Sequence, residues 1–468
     1  MHNSESHSLK YRTVWRWHFY AGMFCIPFVL ILSVTGGIYL FKQEIEDWSE
    51  SAYNHLELKG EAVAPSQLVQ HVLKDHPDAS FSSYQLPPTS SVAPRMLIRT
   101  ATGQQRVYIH PVTQQELLIY PEQERFMRYM FRIHGELMLG DRGSMLVELA
   151  SSWTIILILT GLFLWWPRST LRLNGVFLPR LNKQGRLFWR DLHVTTGFWI
   201  SFFVLFLLIS GLPWSKFWGD YFKQIRSLTG TAVARQDWSN GNESERTKAT
   251  SKPKASKSNA SSDEHAGHQG HASNKPAASK SPPLDLTGFD RAVEVASTLS
   301  LPHPVLISPL KEQAGVWKVQ SMTANRPLRT TLNIDGKTGE ILQRQVFKDK
   351  HWIDKAVSYG IAAHEGRLFG SLNQLLGLFT ALGLITMCTT AIIMWWKRRQ
   401  PGTIGLPIRE TELHLPTSFY FIIICLGLCL PLFGISFLIL WIIDRLFLQP
   451  RETPIAKTIQ EPVKIGES

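Results

Sequence analysis

The sequence predicts a mainly α, polytopic membrane helical bundle of five spans, internally duplicated, carrying two outward-facing α+β modules. Three observations predict it: five apolar stretches of bilayer length, histidines and glycines recurring at matched spacing in two halves, and polar segments with strand-like alternation between spans. The 468 residues are 44% hydrophobic and only 18% charged, below the roughly 25% charged of an ordinary soluble domain. A mean hydropathy of −0.05 averages strongly apolar with strongly polar stretches. A soluble cytosolic enzyme is excluded. The 49 basic and 37 acidic residues give a net charge of +12, but many cations cluster beside apolar spans, so the expected partner is lipid and not nucleic acid. Cys25, Cys388, Cys425 and Cys429 all sit in apolar runs. Their spacing builds neither a disulfide framework nor a thiolate metal site.

In chain order, the apolar stretches are 19–41, 146–166, 198–214, 372–396 and 419–443, against the about 20 residues that a bilayer requires. The third becomes comfortable only when residues 193–197 are included. Short-loop charge sets the orientation. Residues 167–195 carry Arg168, Arg172, Arg180, Lys183, Arg186 and Arg190 against the single acid Asp191. Lys397, Arg398 and Arg399 follow span four, and the N-terminal tail carries Lys10, Arg12 and Arg16. That side is expected to be cytoplasmic, with the N-terminus inside and the C-terminus outside. Span one ends in Thr35-Gly36-Gly37-Ile38-Tyr39 without a cleavage pattern and reads as an uncleaved anchor.

The domain plan is then 1–41, tail and span one; 42–125, first module; 126–214, spans two and three with the basic loop; 215–350, second module; 351–400, span four; and 401–468, span five and tail. In the first module 65–76 reads as a helix, and 95–99 and 105–110 alternate as strands. In the second, 285–299 reads as a helix, and 315–320 and 330–334 as strands. Residues 231–283, rich in Ser, Lys, Ala, Asn and Gly, have almost nothing to bury and read as a disordered insertion.

The halves repeat. His18 is followed four residues later by Gly22 and eighteen later by Gly36, and His193 likewise by Gly197 and Gly211. His134 precedes Gly140 by six residues and Trp165-Trp166 by thirty-one. His364 stands in the same relation to Gly370 and Trp395-Trp396. The segment Ile109-His110-Pro111-Val112-Thr113-Gln114 matches Ile334-Asp335-Gly336-Lys337-Thr338-Gly339. Corresponding spans run the same way, as in parallel repeats about an axis near the membrane normal.

Histidine near a span is costly and marks function by default. A lone histidine at a helix end is more often interfacial, but four at repeat-matched spacing favour ligation. His18 with His193, and His134 with His364, can face each other across the bundle axis, the geometry of bis-imidazole ligation of an iron porphyrin. Gly22, Gly197, Gly36 and Gly211 would admit a flat macrocycle or a neighbouring helix. Arg16, Arg190, Arg132 and Arg367 could pair with heme propionates. A straight helix from His134 to Trp165 would run about 46 Å, so either the helix breaks near Gly140–Gly143 or this site lies at the outer rim. The triplet His265, His268 and His271 could bind copper, nickel or zinc, though a flexible linker offers no rigid site. The paired tryptophans read as interfacial belt residues. No dinucleotide fingerprint, Walker loop or nucleophile elbow is present, so electrons would come from quinol or a separate reductase.

Trp17-His18 with Thr35-Gly36-Gly37, the Ile-His/Asp-Pro/Gly-x-Thr-Gln/Gly turn, His134-Gly135-Glu136 and the Trp-Trp endings resemble the PepSY-associated transmembrane family. That family includes iron-regulated bacterial inner-membrane proteins and ferric-siderophore reductases. The resemblance covers about residues 10–400 and implies a helical bundle with two periplasmic PepSY-like modules and, as in the reductase members, two b-type hemes with axial histidines. Carried over by motif, these are His18 with His193 and His134 with His364. His110, where the family turn usually has Asp, and the His-bearing linker depart from the pattern. The expected function is a diheme oxidoreductase delivering electrons to a periplasmic acceptor such as siderophore-bound ferric iron. The alternatives are a heme-free protein whose modules bind or inhibit a periplasmic protein, and metal export or sensing through the linker.

Overall fold

The computed structural model describes residues 2–166, 176–231, 285–400, 402, 417–444 and 446. The chain forms two units, Met1–Glu410 and Thr411–Ser468. The first half of the first unit runs α1 (His2–Tyr39), α2 (Lys42–Ser49), α3 (Ser51–Asn54), α4 (Pro65–Asp75), β1 (Ser80–Leu86), β2 (Arg95–Thr100), β3 (Gly103–Ile109), β4 (Glu116–Pro121), α5 (Phe126–Glu136) and α6 (Asp141–Trp165). The second half runs α7 (Arg186–Gly211), α8 (Lys216–Leu228), α9 (Phe289–Thr298), β5 (Val305–Pro309), β6 (Val316–Ser321), β7 (Thr330–Asp335), β8 (Ile341–Val346), α10 (Trp352–His364) and α11 (Ser371–Arg398).

Four helices among the described residues are long and apolar enough to cross a membrane: Tyr11–Tyr39 within α1, α6, α7 extended to Trp214, and α11. Each apolar run lacks prolines apart from Pro27 in α1 and Pro213 in the closing turn of the third, and in lipid a continuous helix is what satisfies every backbone donor and acceptor. Helix α1 packs against α6 and α11, and α7 packs against the same two. The helices α1 and α7 therefore stand on one diagonal of a four-helix bundle, and α6 and α11 on the other.

The thirty-one residues from His134 to Trp165 are not one helix. Leu137 and Met138 adopt left-handed backbone (φ 49° and 59°), Gly140 follows at φ 60°, and α6 starts at Asp141. The turn folds α5 back tightly: a Cβ on Gly143 would lie 1.7 Å from the Glu136 carbonyl oxygen, so only glycine fits there. The second half breaks the same way, with Gly366 at φ 72° and Gly370 at φ 61° between α10 and α11.

The two polar segments share one sheet. Eight antiparallel strands lie in the order β4-β3-β2-β1-β5-β6-β7-β8. The junction pairs Tyr84 with Ile307, Gln85 with Leu306 and Leu86 with Val305. Strands β1 and β5 would each be an open edge alone, and pairing them satisfies both. Helices α4 and α9 cover one face, and a single core runs through both halves, from Leu68, Val72, Met96 and Ile109 to Phe289, Ile307, Trp317 and Ile334. Asp290 at the start of α9 accepts from the Ser66 backbone N–H at 2.7 Å, fastening the two helices together.

The strand pairing repeats between halves. Gln105 faces Pro121 and Ile109 faces Glu116 across a bulge, as Thr330 faces Val346 and Ile334 faces Ile341 across another. In the second hairpin turn, the Asp335 carboxylate accepts from the Lys337 and Thr338 N–H groups at 2.8 and 2.9 Å. In the first, His110 Nδ1 accepts from Val112 and Thr113, each at 3.2 Å. His110 thus does the work of an aspartate, which explains its place in the turn.

The fifth stretch is a correction. Residues 419–443 do not form one spanning helix but two short ones, α12 (Thr417–Cys429) and α13 (Pro431–Ile443). Pro431 has no N–H and takes the first turn of α13, while Leu430 leaves helical geometry at φ −125°, ψ 78°. The pair closes as a hairpin, with Gly427 and Gly434 in backbone contact. The loop residues Arg168 and Arg172, and the linker with His265, His268 and His271, lie outside the described residues.

Helix α10 is fastened to α8 by a buried ion pair. Arg226, 1% exposed, donates to both Asp354 carboxylate oxygens at 2.6 and 3.0 Å and to the Thr231 carbonyl at 2.6 Å. Asp354→Ala is expected to destabilise the solubilised protein by about 3–5 kcal/mol, because it strands a buried guanidinium. Replacing both partners with apolar residues should cost far less. A loss below about 1 kcal/mol in thermal denaturation of Asp354→Ala would contradict this role.

Candidate functional site

A recurring constellation surrounds each of the four histidines. His18 on α1 has Nδ1 2.9 Å from Thr160 Oγ1 on α6 and bonds the Leu157 backbone. His193 on α7 has Nδ1 2.9 Å from Thr390 Oγ1 and 3.2 Å from the Met387 carbonyl on α11. His134, in the last turn of α5, has Nδ1 3.2 Å from Thr35 Oγ1 on α1 and bonds the Leu32 backbone. His364, ending α10, has Nδ1 3.0 Å from Ser210 Oγ on α7 and bonds the Leu207 backbone. In every case Nδ1 meets a hydroxyl on a neighbouring helix, and the backbone partner is the residue three before that hydroxyl.

These contacts decide the tautomer. Thr160, Thr390, Thr35 and Ser210 each donate their hydroxyl hydrogen within their own helix, to Ile156, Thr386, Ile31 and Leu207 at 2.7–3.1 Å. Each hydroxyl can then only accept, as the neighbouring carbonyl must, so the histidine donates from Nδ1. A neutral imidazole that donates from Nδ1 keeps its lone pair on Nε2. Burial pushes the His364 imidazole down to about 4, with nearby His134 adding to the shift, and burial lowers His134 as well. At neutral pH both rings are therefore uncharged, the form that binds a metal.

Close approach needs small residues. A Cβ on Gly36 would come within 2.9 Å of His134 Cε1, one on Gly211 within 3.4 Å of His364 Cε1, and one on Gly161 within 3.2 Å of His18 Cε1. What Gly36 and Gly211 admit is thus a histidine ring from the following juxtamembrane helix. Gly197 faces Met387 and Gly22 faces Leu157. The motif is a hydroxyl followed by a small residue: Thr35-Gly36, Ser210-Gly211, Thr160-Gly161 and Thr390-Ala391. Only its first copy figures in the sequence reading. Single small residues in a span are common, and the pattern emerges once each is seen against its histidine.

The structure brings His134 and His364 together, with ring centroids 6.3 Å apart and planes at 83°. His18 and His193, on diagonally opposed helices, are close enough to interact electrostatically. All four histidines are part-buried. Counting residues along α1 from His18 to Thr35, which holds His134, puts the two pairs about 25 Å apart along the axis.

The spacing of His134 and His364 is one that a heme held between two imidazoles would need. Two imidazoles bound to one metal at about 2 Å each place their centroids about 6–6.5 Å apart. Among the described residues, no three His, Cys, Asp or Glu side chains gather as a metal cage. Two histidines alone suit a metal that already carries four in-plane ligands. Three of the arginines near the histidines have protein partners. Arg190 is paired with Asp191 at 2.9 Å and Arg132 with Glu136 at 2.9 Å. Arg367 donates to Glu44 at 3.0 Å and to the Leu40 carbonyl at 3.1 Å. These three tie helix ends to protein carboxylates. No disulfide joins the four cysteines, of which Cys25 and Cys388 are buried in the bundle and Cys425 and Cys429 belong to the C-terminal hairpin.

Gly36→Ala should displace His134 and lower stability by about 1–3 kcal/mol. Gly37→Ala, whose nearest neighbour is Ala381 Cβ at 3.7 Å, should be tolerated. Equal melting temperatures for the two variants would refute the close approach at Gly36. A family model described as the PepSY-associated TM region matches residues 15–398, and no curated protein matches the chain.

Proposed function

Because the chain belongs to the PepSY-associated TM family, we propose that it is a diheme reductase of the bacterial inner membrane. In this reading it carries electrons outward to an acceptor at the periplasmic sheet. The observation that carries it is the four histidines that offer Nε2 in two facing pairs, each supported by the same carbonyl and hydroxyl arrangement. Each pair would hold one b-type heme, which supplies a one-electron carrier when bound.

The chain's own residues perform the rest. Thr160, Thr390, Thr35 and Ser210 fix ring orientation and keep the Nδ1 proton in place, a support that raises ligand basicity. The apolar bundle excludes water between the pairs. The His18/His193 pair lies toward the basic cytoplasmic loops, where quinol or a separate reductase would donate. The His134/His364 pair lies beneath the sheet, where the acceptor would be reduced. Siderophore-bound ferric iron suits that role: one electron converts Fe(III) to Fe(II), which hard oxygen chelators hold far more weakly. The N-terminus would be cytoplasmic. We read the two halves, with their repeated strand register and repeated histidine supports, as copies of one ancestral unit.

His134→Ala and His364→Ala should each reduce heme content from two per chain to one and abolish acceptor reduction, while the remaining bis-histidine spectrum persists. Ser210→Ala should keep both hemes and shift the midpoint potential of one. Two hemes per chain in either alanine variant would reject the ligand assignment. Colourless wild-type protein, purified gently after heme supply, would favour a heme-free binding role for the sheet.

A further inference from the structure

The halves share a scaffold but differ at one corner. At the outer end of β8, a concavity of about 660 Å³ is lined by Arg329, Arg344, Lys348, Asp349, Phe347 and Tyr359, among others. The repeated register identifies the first-half counterparts of its three cations. Ile119 faces Val107 as Arg344 faces Leu332. Gln104 precedes the Gln105–Pro121 pair as Arg329 precedes Thr330–Val346. Gln123 is the middle of the turn Glu122–Glu124 as Lys348 is of Phe347–Asp349. Three neutral residues in one half are three cations in the other, opposed by the single acid Asp349.

The corner also lies at the level where the span ends. Arg326, in the turn beside the concavity, stacks over Trp214 at 5.5 Å, and Trp214 is the last residue of a candidate span. Tyr359, on α10 five residues before His364, meets Phe347 edge-on with centroids 5.1 Å apart. Trp352, Leu328 and Tyr359 are exposed around it, an aromatic and apolar rim of the kind found at headgroup depth. A soluble anion would need the cations alone. A rim that is apolar beside them suits an amphiphile. We propose that this concavity binds the phosphate headgroup of an anionic phospholipid, with Arg344 and Lys348 as its exposed charges and Arg329 as its half-buried wall.

The test uses full-length protein in detergent, titrated with mixed micelles of phosphatidylglycerol or of phosphatidylcholine, or with inorganic phosphate, and followed by thermal stability. Phosphatidylglycerol should stabilise the wild type, while phosphatidylcholine and inorganic phosphate should not. Arg344→Ile and Lys348→Gln, which install the first half's residues at exposed positions, should each raise the phosphatidylglycerol concentration at half-effect about fivefold. Arg128→Gln on α5, the first-half counterpart of α10, should leave it unchanged. An unchanged midpoint in both corner variants would overturn the proposal. An equal loss in Arg128→Gln would replace it with general surface attraction, and stabilisation by inorganic phosphate would replace the lipid with a soluble anion.

Discussion

The donation of one N–H from each histidine to a neighbouring helix is the contact on which the rest of this structure depends. A buried imidazole must place its donor, and leaving it unpaired costs about 1–3 kcal/mol. Here the acceptors are a carbonyl and a hydroxyl already committed within their own helix, so no other tautomer satisfies the network. The same contacts tie α1 to α6, α11 to α7, and the short helices α5 and α10 to the spans α1 and α7. The contacts that hold the bundle together are also those that would present the proposed ligands.

The extramembrane parts hold the outer pair in register. His134 and His364 are not on spanning helices but at the ends of α5 and α10, which reach them from the sheet. Arg125 bridges Glu46 and Glu50 at 3.1 and 2.8 Å, joining the start of α5 to the segment after α1. Arg226 and Asp354 do the corresponding work for α10. Because β1 pairs with β5, the two short helices descend from one rigid sheet and not from two independent modules. The sheet therefore sets the 6.3 Å separation of the two rings as much as the bundle does.

Much of this was legible in the residues. Four spans follow from apolar length, the break after His134 from Gly140 and Gly143, and strands β2, β3, β6 and β7 from alternation. The four histidines stand out because their spacing repeats. Other features were hidden for identifiable reasons. Strand β4 is mostly part-buried and β8 mostly exposed, and neither buries one face, so no alternation marks them. The joining of two modules into one sheet depends on a three-residue pairing of Tyr84–Leu86 with Val305–Ile307 that no local pattern signals. The fifth apolar stretch misleads because length and hydropathy ignore a proline at its middle. Arginines near histidines suggested anionic ligands, but the partners Asp191 and Glu136 stand within four residues of Arg190 and Arg132, whereas Glu44 reaches Arg367 only through the fold. The hydroxyl supports lie 99 to 197 residues from their histidines, and only the folded bundle pairs them.

The most direct test is the reduced-minus-oxidised visible spectrum of the purified, detergent-solubilised protein, with heme quantified per chain. Two low-spin b-type hemes per chain are predicted, one for each facing pair of Nε2 atoms. A single heme would contradict the equivalence of the two pairs, and none, under gentle purification with heme supplied, would contradict the reductase account altogether.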